Sequence, residues 1–205
     1  LAVLRSEVEA VEPDRLSAFL PDWHGIGTTT AGRTRLPEVV RSLQGRAVPA
    51  SSLERDVLPD RMSYNPSDLD LHLASGDVVW IGRGPLGARD GKVALYFRDH
   101  GPLLLDRAIG DAPEGETHVV VRRHLSDRGA SFFNDLYVAA GGGDPQLVVD
   151  ALWDLVWSGE ITNDTLAPLR AFVGTKGGKT RPGRRSVTSS VPAAASGRWY
   201  LVADL

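Results

Sequence analysis

The chain has 205 residues, of which 42% are hydrophobic, enough for one large core or two small ones. It has no cysteine, which excludes disulfides and thiolate metal sites, and no apolar run long enough to span a bilayer as a helix. A net charge of -3 excludes a uniformly basic nucleic-acid domain, so any such binding must come from local patches.

The first residue is Leu1, and no basic-then-apolar leader follows it. This points to a piece of a longer protein, with a cytoplasmic location and no membrane partner expected. Residues 1–32 read as an opening segment. Within it Val8-Glu9-Ala10-Val11-Glu12 alternates like a strand edge, and Asp14 to Leu20 reads as a short helix stopped by Pro21. Thr28 to Gly32 reads as a loop.

A first module is expected over 33–100. Leu36, Val39, Val40 and Leu43 lie at helical spacing, with Gly45 to end that helix. Ser51 and Glu54 have the spacing of a capping box, opening a second helix that runs to Leu58 and is closed by Pro59. Asn65 caps a third helix with Pro66 at its first position, where the missing N–H would have had no intrahelical partner. Gly76 suits the left-handed turn after Ser75. Asp77–Ile81 and Lys92–Phe97 are apolar β runs joined by a glycine-rich turn.

A second module, expected over 101–205, repeats this order. His118–Leu125 and Phe132–Ala139 are its first two helices, and Gly141-Gly142-Gly143 breaks the second. The third runs from Pro145 to Ser158, again behind a cap (Asp144) and before a glycine (Gly159). Glu160–Asn163 and Arg198–Val202 form its β ribbon. Between them lies a basic insertion, about 165–197, with a short helix near Leu166–Phe172. The rest of that insertion has too few apolar residues to offset ordering entropy and is expected to be mobile. Two three-helix units, each feeding a β-hairpin, predict an α+β fold of tandem winged helix-turn-helix domains.

Two motifs mislead. Gly82-Arg83-Gly84-Pro85-Leu86-Gly87 fits G-x-G-x-x-G, but Pro85 lacks an N–H for phosphate and a β run follows where a helix is needed. Gly177-Gly178-Lys179-Thr180 ends like a phosphate-binding loop, but Val173 occupies the place of its first glycine. The five histidines have no metal-ligand spacing, and no strained nucleophile turn is visible, so no catalytic or metal residue is assigned. His72 is expected in a partly buried core position, and Trp80, Trp153 and Trp157 in core and hairpin packing rather than base stacking. Phe132, Phe133 and Tyr137 are likewise read as core.

Charge placement decides how nucleic acid would be met. The third helices carry Asp68 and Asp70, and Asp150 and Asp154, with no lysine or arginine. That argues against major-groove reading by either helix. The first wing carries Arg83, Arg89, Lys92 and Arg98. The insertion carries Arg170, Lys176, Lys179, Arg181, Arg184 and Arg185 with no acid among them. These groups can neutralise phosphates without reading sequence. Arg122-Arg123-His124 is a third, weaker patch.

Several runs together resemble the C-terminal region of the bacterial large helicase-related (Lhr) family. They are Glu7-Val8-Glu9-Ala10-Val11, Phe19-Leu20-Pro21-Asp22-Trp23-His24-Gly25 and Leu43-Gln44-Gly45. Pro49 to Arg61, Ala74 to Gly82 and Asp90 to Asp99 continue them, with Gly197-Arg198-Trp199 after a thinner stretch. The resemblance implies ATP-dependent DNA repair helicases that translocate on single-stranded DNA. In them the ATPase core, with its ATP and Mg, lies upstream of a winged-helix array similar to helix-turn-helix DNA glycosylases. The expected role is a module binding or orienting DNA, as single strands or repair intermediates, beside other domains of the same chain. The alternatives are a protein–protein or homo-oligomerisation module and a scaffold for a glycosylase-like region. No cofactor and no catalytic residue is carried onto a numbered position here.

Overall fold

The computed structural model describes residues 11–27, 32–105, 112–174 and 191–205, with the side chains of residues 32 and 33 outside the description. The expected strand edge from Val8 and most of the expected loop from Thr28 lie outside the described residues. So do Lys176, Lys179, Arg181, Arg184 and Arg185.

Helix α1 spans Pro13–Trp23 and carries Pro21 within it. Pro21 therefore does not stop the helix. A proline so near the C-terminus removes one intrahelical bond, and the turn beyond it closes regardless. His24 N–H donates to the Leu20 carbonyl (2.9 Å), Ile26 N–H to that of Pro21 (2.8 Å), and Gly25 supplies a positive φ of 63°.

The first module runs from helix α2 (Gly32–Leu43) through strand β1 (Val48–Pro49) to helix α3 (Ala50–Ser52). A π-type turn, Leu53–Val57, extends α3 until Leu58 N–H bonds the Leu53 carbonyl at 3.0 Å. Helix α4 (Pro66–Ser75) then leads to β2 (Val78–Pro85) and β3 (Gly91–Phe97). The Asn65 side chain accepts from Ser67 N–H, and Gly76 takes the left-handed conformation, so both ends of α4 form as the sequence predicts. The Ser51–Glu54 capping box does not form. Pro49 is the residue before the helix, and Ser51 donates both its N–H and its hydroxyl to Asp90 on the wing.

After a short helix α5 (Gly101–Leu104), the second module repeats the order. Helix α6 (Glu116–Arg128), strand β4 (Ser131–Phe132) and helix α7 (Phe133–Ala139) come first. Helix α8 (Pro145–Trp157), strand β5 (Ile161–Asn163), helix α9 (Ala167–Gly174) and strand β6 (Arg198–Leu201) follow. The sheets have matching antiparallel order, β1-β3-β2 and β4-β6-β5. In each, a two-residue strand between the first two helices pairs with the returning wing strand. Phe132 lies on such a strand and is 56% exposed, so only Phe133 of that pair is core, with Tyr137 half-buried.

One apolar core runs through both modules, from Leu36 and Leu69 to Leu152, Trp157 and Trp199. The other face of the first sheet carries Val79, Ile81, Ala94 and Tyr96, covered by Leu105, Val202 and Leu205. Trp80 and Trp199 are fully buried, and Trp153 stacks on Phe172 at 4.2 Å between ring centroids. The indole N–H of Trp153 donates to the Ala194 carbonyl and that of Trp199 to Ala195, so both rings are satisfied. Trp80, Trp153 and Trp157 are thus packing groups. His72 is half-buried, 3.4 Å from the Asp77 carboxylate.

Candidate nucleic-acid interface

In a winged helix, the third helix and the wing are the surfaces that usually meet DNA. The third helix of the second module, α8, is apolar on nearly every side. Val148, Val149, Ala151, Leu152, Trp153, Leu155, Val156 and Trp157 are buried. Part of this face packs on β2 of the first module. Gly82 lies against the Val156 backbone, Gly91 lies against the Trp157 ring, and Trp80 stacks near Trp153. The Thr162 hydroxyl donates to the Trp80 carbonyl, and the Trp80 indole N–H donates to the Thr165 carbonyl at 3.2 Å. Helix α8 is therefore an internal strut. Its polar edge offers Gln146, bonded to Asp150, and Asp154, paired with His118.

The third helix of the first module, α4, is occupied from the side. Arg170 on α9 reaches across to it and forms two bidentate pairs. Its Nε and Nη2 donate to Glu54 at 2.7 and 2.8 Å, and its Nη1 and Nη2 to Asp70 at 2.8 and 2.9 Å. Tyr64 also donates its hydroxyl to Glu54, and burial pushes that phenol well above its usual range. Hydrogen bonds donated to Glu54, then to Asp70, hold the Arg170 proton more firmly than usual. Arg170, expected on the basic arm, is instead a cross-brace between modules. Its charge faces two carboxylates rather than solvent phosphates.

The first wing keeps its basic groups at its rim. The β2–β3 turn is closed by Leu86 N–H to the Asp90 carbonyl at 2.8 Å, and Gly84 and Gly87 take positive φ. This is the stretch that fits G-x-G-x-x-G. It is a strand–turn–strand, so no helix N-terminus is offered to a nucleotide phosphate. Asp90 fixes the base of the wing to α3 through Ser51, at 3.1 and 2.6 Å. Arg89 and Lys92 are exposed and Arg83 is half-buried. Arg83 and Arg89 each also hold an interaction within the fold. Strand alternation puts Lys92 on the face of Ala94 and Tyr96. Burial pushes the Tyr96 phenol up, and the nearby Arg83 charge partly opposes that. The structure thus gathers Arg83, Arg89 and Lys92 on one ribbon and separates them from Arg170.

Several other cations meet a carboxylate or an aromatic ring within the fold. A groove of about 500 Å³ opens between the end of α4 and β6. There the Arg98 guanidinium lies 5.5 Å over the Tyr200 ring, and Arg198 pairs with Asp164 at 2.7 Å. Arg122 pairs with Glu160, and Arg123 lies 3.7 Å from Asp127. Among the described residues no group of three or more His, Asp or Glu side chains is placed to hold a metal ion. Apart from the i,i+4 pair Arg123–Asp127, these partners were not legible in the sequence, because each pairing joins residues more than 30 positions apart.

These features define a winged-helix protein whose modules are welded through the first wing and the last helix of the second unit. Residues 11–98 match a family model described as the winged-helix domain of large helicase-related protein. Over 176 residues the chain is 41% identical to a Mycolicibacterium smegmatis protein named Lhr helicase/probable uracil glycosylase, covering 84% of this chain and 12% of that protein. Over 155 residues it is 34% identical to the Escherichia coli Lhr helicase/uracil glycosylase, covering 72% of this chain and 10% of that protein. The chain belongs to the large helicase-related family, as part of its winged-helix region. It spans about a tenth of the length of these two relatives.

Proposed function

We propose that this chain is a rigid helicase-associated module that meets DNA through phosphate contacts of its first wing, within a DNA repair helicase. The observation that carries this reading is the burial of α8 against β2 together with the Arg170 brace on α4. Both third helices are engaged in joining modules, which leaves Arg83, Arg89 and Lys92 as the basic rim on an ordered projection. Lys176, Lys179, Arg181, Arg184 and Arg185 add a second basic source on the same polypeptide. Binding of this kind is sequence-independent, positions the strand and weakens steeply with salt.

The two relatives carry glycosylase in their names as well as helicase. In the inter-module groove, however, Asp164 is bonded to Arg198, and in the pocket beside it Asp77 accepts from Ser75 next to His72. We therefore assign this chain the positioning of DNA and leave base excision and ATP hydrolysis to other domains. The test is fluorescence anisotropy with labelled single-stranded and duplex oligonucleotides across a salt series. A weak, salt-steep, sequence-tolerant affinity that falls when the wing is neutralised supports the reading. Affinity that is insensitive to salt, or unchanged by neutralising Arg83, Arg89 and Lys92, overturns it.

A further inference from the structure

Helix α1 is an amphipathic helix whose apolar side stays exposed among the described residues. Leu16, Phe19, Leu20 and Trp23 recur at i, i+3, i+4 and i+7, which places them on one face. They are 48, 51, 39 and 70% exposed, and Val11 and Ile26, just outside the helix, are exposed as well. The Phe19 and Trp23 rings pack on one another at 5.4 Å, so the face is a preassembled aromatic ridge rather than scattered side chains. No residue of α1 is buried. The helix is held at its C-terminal end, where Gly27 N–H donates to the Asp60 carbonyl at 2.7 Å.

Two further observations say what covers it. The family match begins at residue 11, so α1 belongs to the domain unit that the family shares, although the core of α2–α4 closes without it. The relatives extend far beyond this segment, which accounts for 12% and 10% of their lengths. Charge separates a protein occupant from a nucleic acid. From Glu12 to Trp23 the helix carries Glu12, Asp14 and Asp22 against Arg15. That excess of acid repels a phosphate backbone and favours a basic rim.

We propose that the Leu16–Phe19–Leu20–Trp23 face docks into an apolar groove, rimmed by lysine or arginine, on a neighbouring domain of the longer polypeptide. The proposal rests on the reading of this chain as a segment of a large helicase-related protein. It assigns α1 the role of a coupling that fixes the wing's orientation relative to the domain it serves. Helix-in-groove docking through anchors at this spacing is a recurrent mode, and large aromatic anchors dominate such contacts.

The test places the photo-crosslinker p-benzoylphenylalanine at position 23 of the full-length polypeptide and maps the product by mass spectrometry. The expected product has the mass of one polypeptide and joins α1 to a peptide outside residues 1–205. A product with the mass of two polypeptides, one formed only with added oligonucleotide, one internal to residues 1–205, or no product at all, overturns the proposal. In parallel, combined Phe19→Glu and Trp23→Glu substitution is expected to leave the melting temperature of the 205-residue chain unchanged. In the full-length protein it is expected to raise tryptic cleavage at Arg15 by about tenfold. Equal destabilisation of the short chain overturns the docking role. Docking is independent of the wing, so these outcomes leave the salt-dependent binding test standing on its own.

Discussion

Gly91 on the first wing lies against the indole of Trp157, the last residue of α8, so closely that no Cβ fits between them. Nine positions earlier on the paired strand, Gly82 meets the Val156 backbone carbonyl in the same way. The wing root is therefore part of the inter-module seam. Adding a methyl at either position overpacks a full interior, at about 1–3 kcal/mol each. Gly82→Ala is expected to cost more than Gly91→Ala, because a backbone carbonyl yields less than a ring. Gly174→Ala, where no atom lies within 4 Å of an added Cβ, serves as control and is expected to be neutral. Thermal unfolding reads the difference, at about 2–4 °C per kcal/mol for a chain of this size.

The Arg170 brace predicts a separation of stability from binding. Arg170 is 30% exposed, Glu54 19% and Asp70 35%, so solvent screens part of the pairing. Arg170→Ala leaves two carboxylates facing each other without a cation, at an expected cost of about 1–3 kcal/mol. Arg170→Lys is expected to recover less than half of that, because an ammonium cannot form two bidentate pairs. Urea unfolding measures both variants. DNA affinity of Arg170→Ala, measured well below its melting temperature, is expected to stay within about twofold of the parent, since a surface phosphate contact is not lost. A loss matching that of the wing variants would return Arg170 to the basic arm.

The same residue shows where sequence reasoning stops. Asn65-Pro66 with Gly76, and Asp144-Pro145 with Gly159, mark helix ends because caps and left-handed turns are local chemistry. The β runs Asp77–Ile81 and Lys92–Phe97 were legible from their apolar, β-branched residues, although β2 continues to Pro85 through residues that read as turn. Arg170 sits beside Lys176 in sequence yet pairs with carboxylates 100 and 116 positions away. Ser51 has the right spacing to Glu54 for a cap, but Asp90, 39 positions on, holds it instead. Strands β1 and β4 have two residues each and leave no period to detect. The site was legible as charges on a wing. Which charges the fold neutralises was not, since pairing is a property of the tertiary arrangement.

Wing neutralisation is the direct test of the proposed interface. Arg83→Gln, Arg89→Gln and Lys92→Gln together are expected to lower the slope of log K against log salt by about 2 to 3 on duplex DNA. The effect is expected to be equal across oligonucleotide sequences, because phosphate contacts carry no base information. Gln146→Ala and Asp150→Asn on the polar edge of α8 are expected to leave affinity unchanged. Anisotropy titrations at four or more salt concentrations separate the outcomes. Sequence-dependent losses, or losses from the α8 variants, would place recognition on the third helix instead.

Acid sensitivity is expected to trace in part to Glu160. Its carboxylate accepts from Arg122 Nη2 at 2.7 Å and from the Ser158 hydroxyl at 3.1 Å, and Arg122 also donates to the Pro113 carbonyl. The Arg122 hydrogen bond, the largest cause, holds the Glu160 carboxyl below the ordinary glutamate range. The unfolded chain therefore binds the proton more readily than the native state, and stability falls as pH drops. The contribution is fully present above the ordinary glutamate value and is lost as pH falls through the lowered native one. Both side chains are about one-quarter exposed, so solvent screening keeps the effect to roughly 1 kcal/mol. Glu160→Gln is expected to lower stability at pH 7 by that amount and to flatten the acid limb of the stability–pH curve. Urea midpoints between pH 3 and 7 measure it. A parallel displacement of the whole curve, with the acid limb unchanged in slope, would mean that Glu160 acts through packing rather than charge.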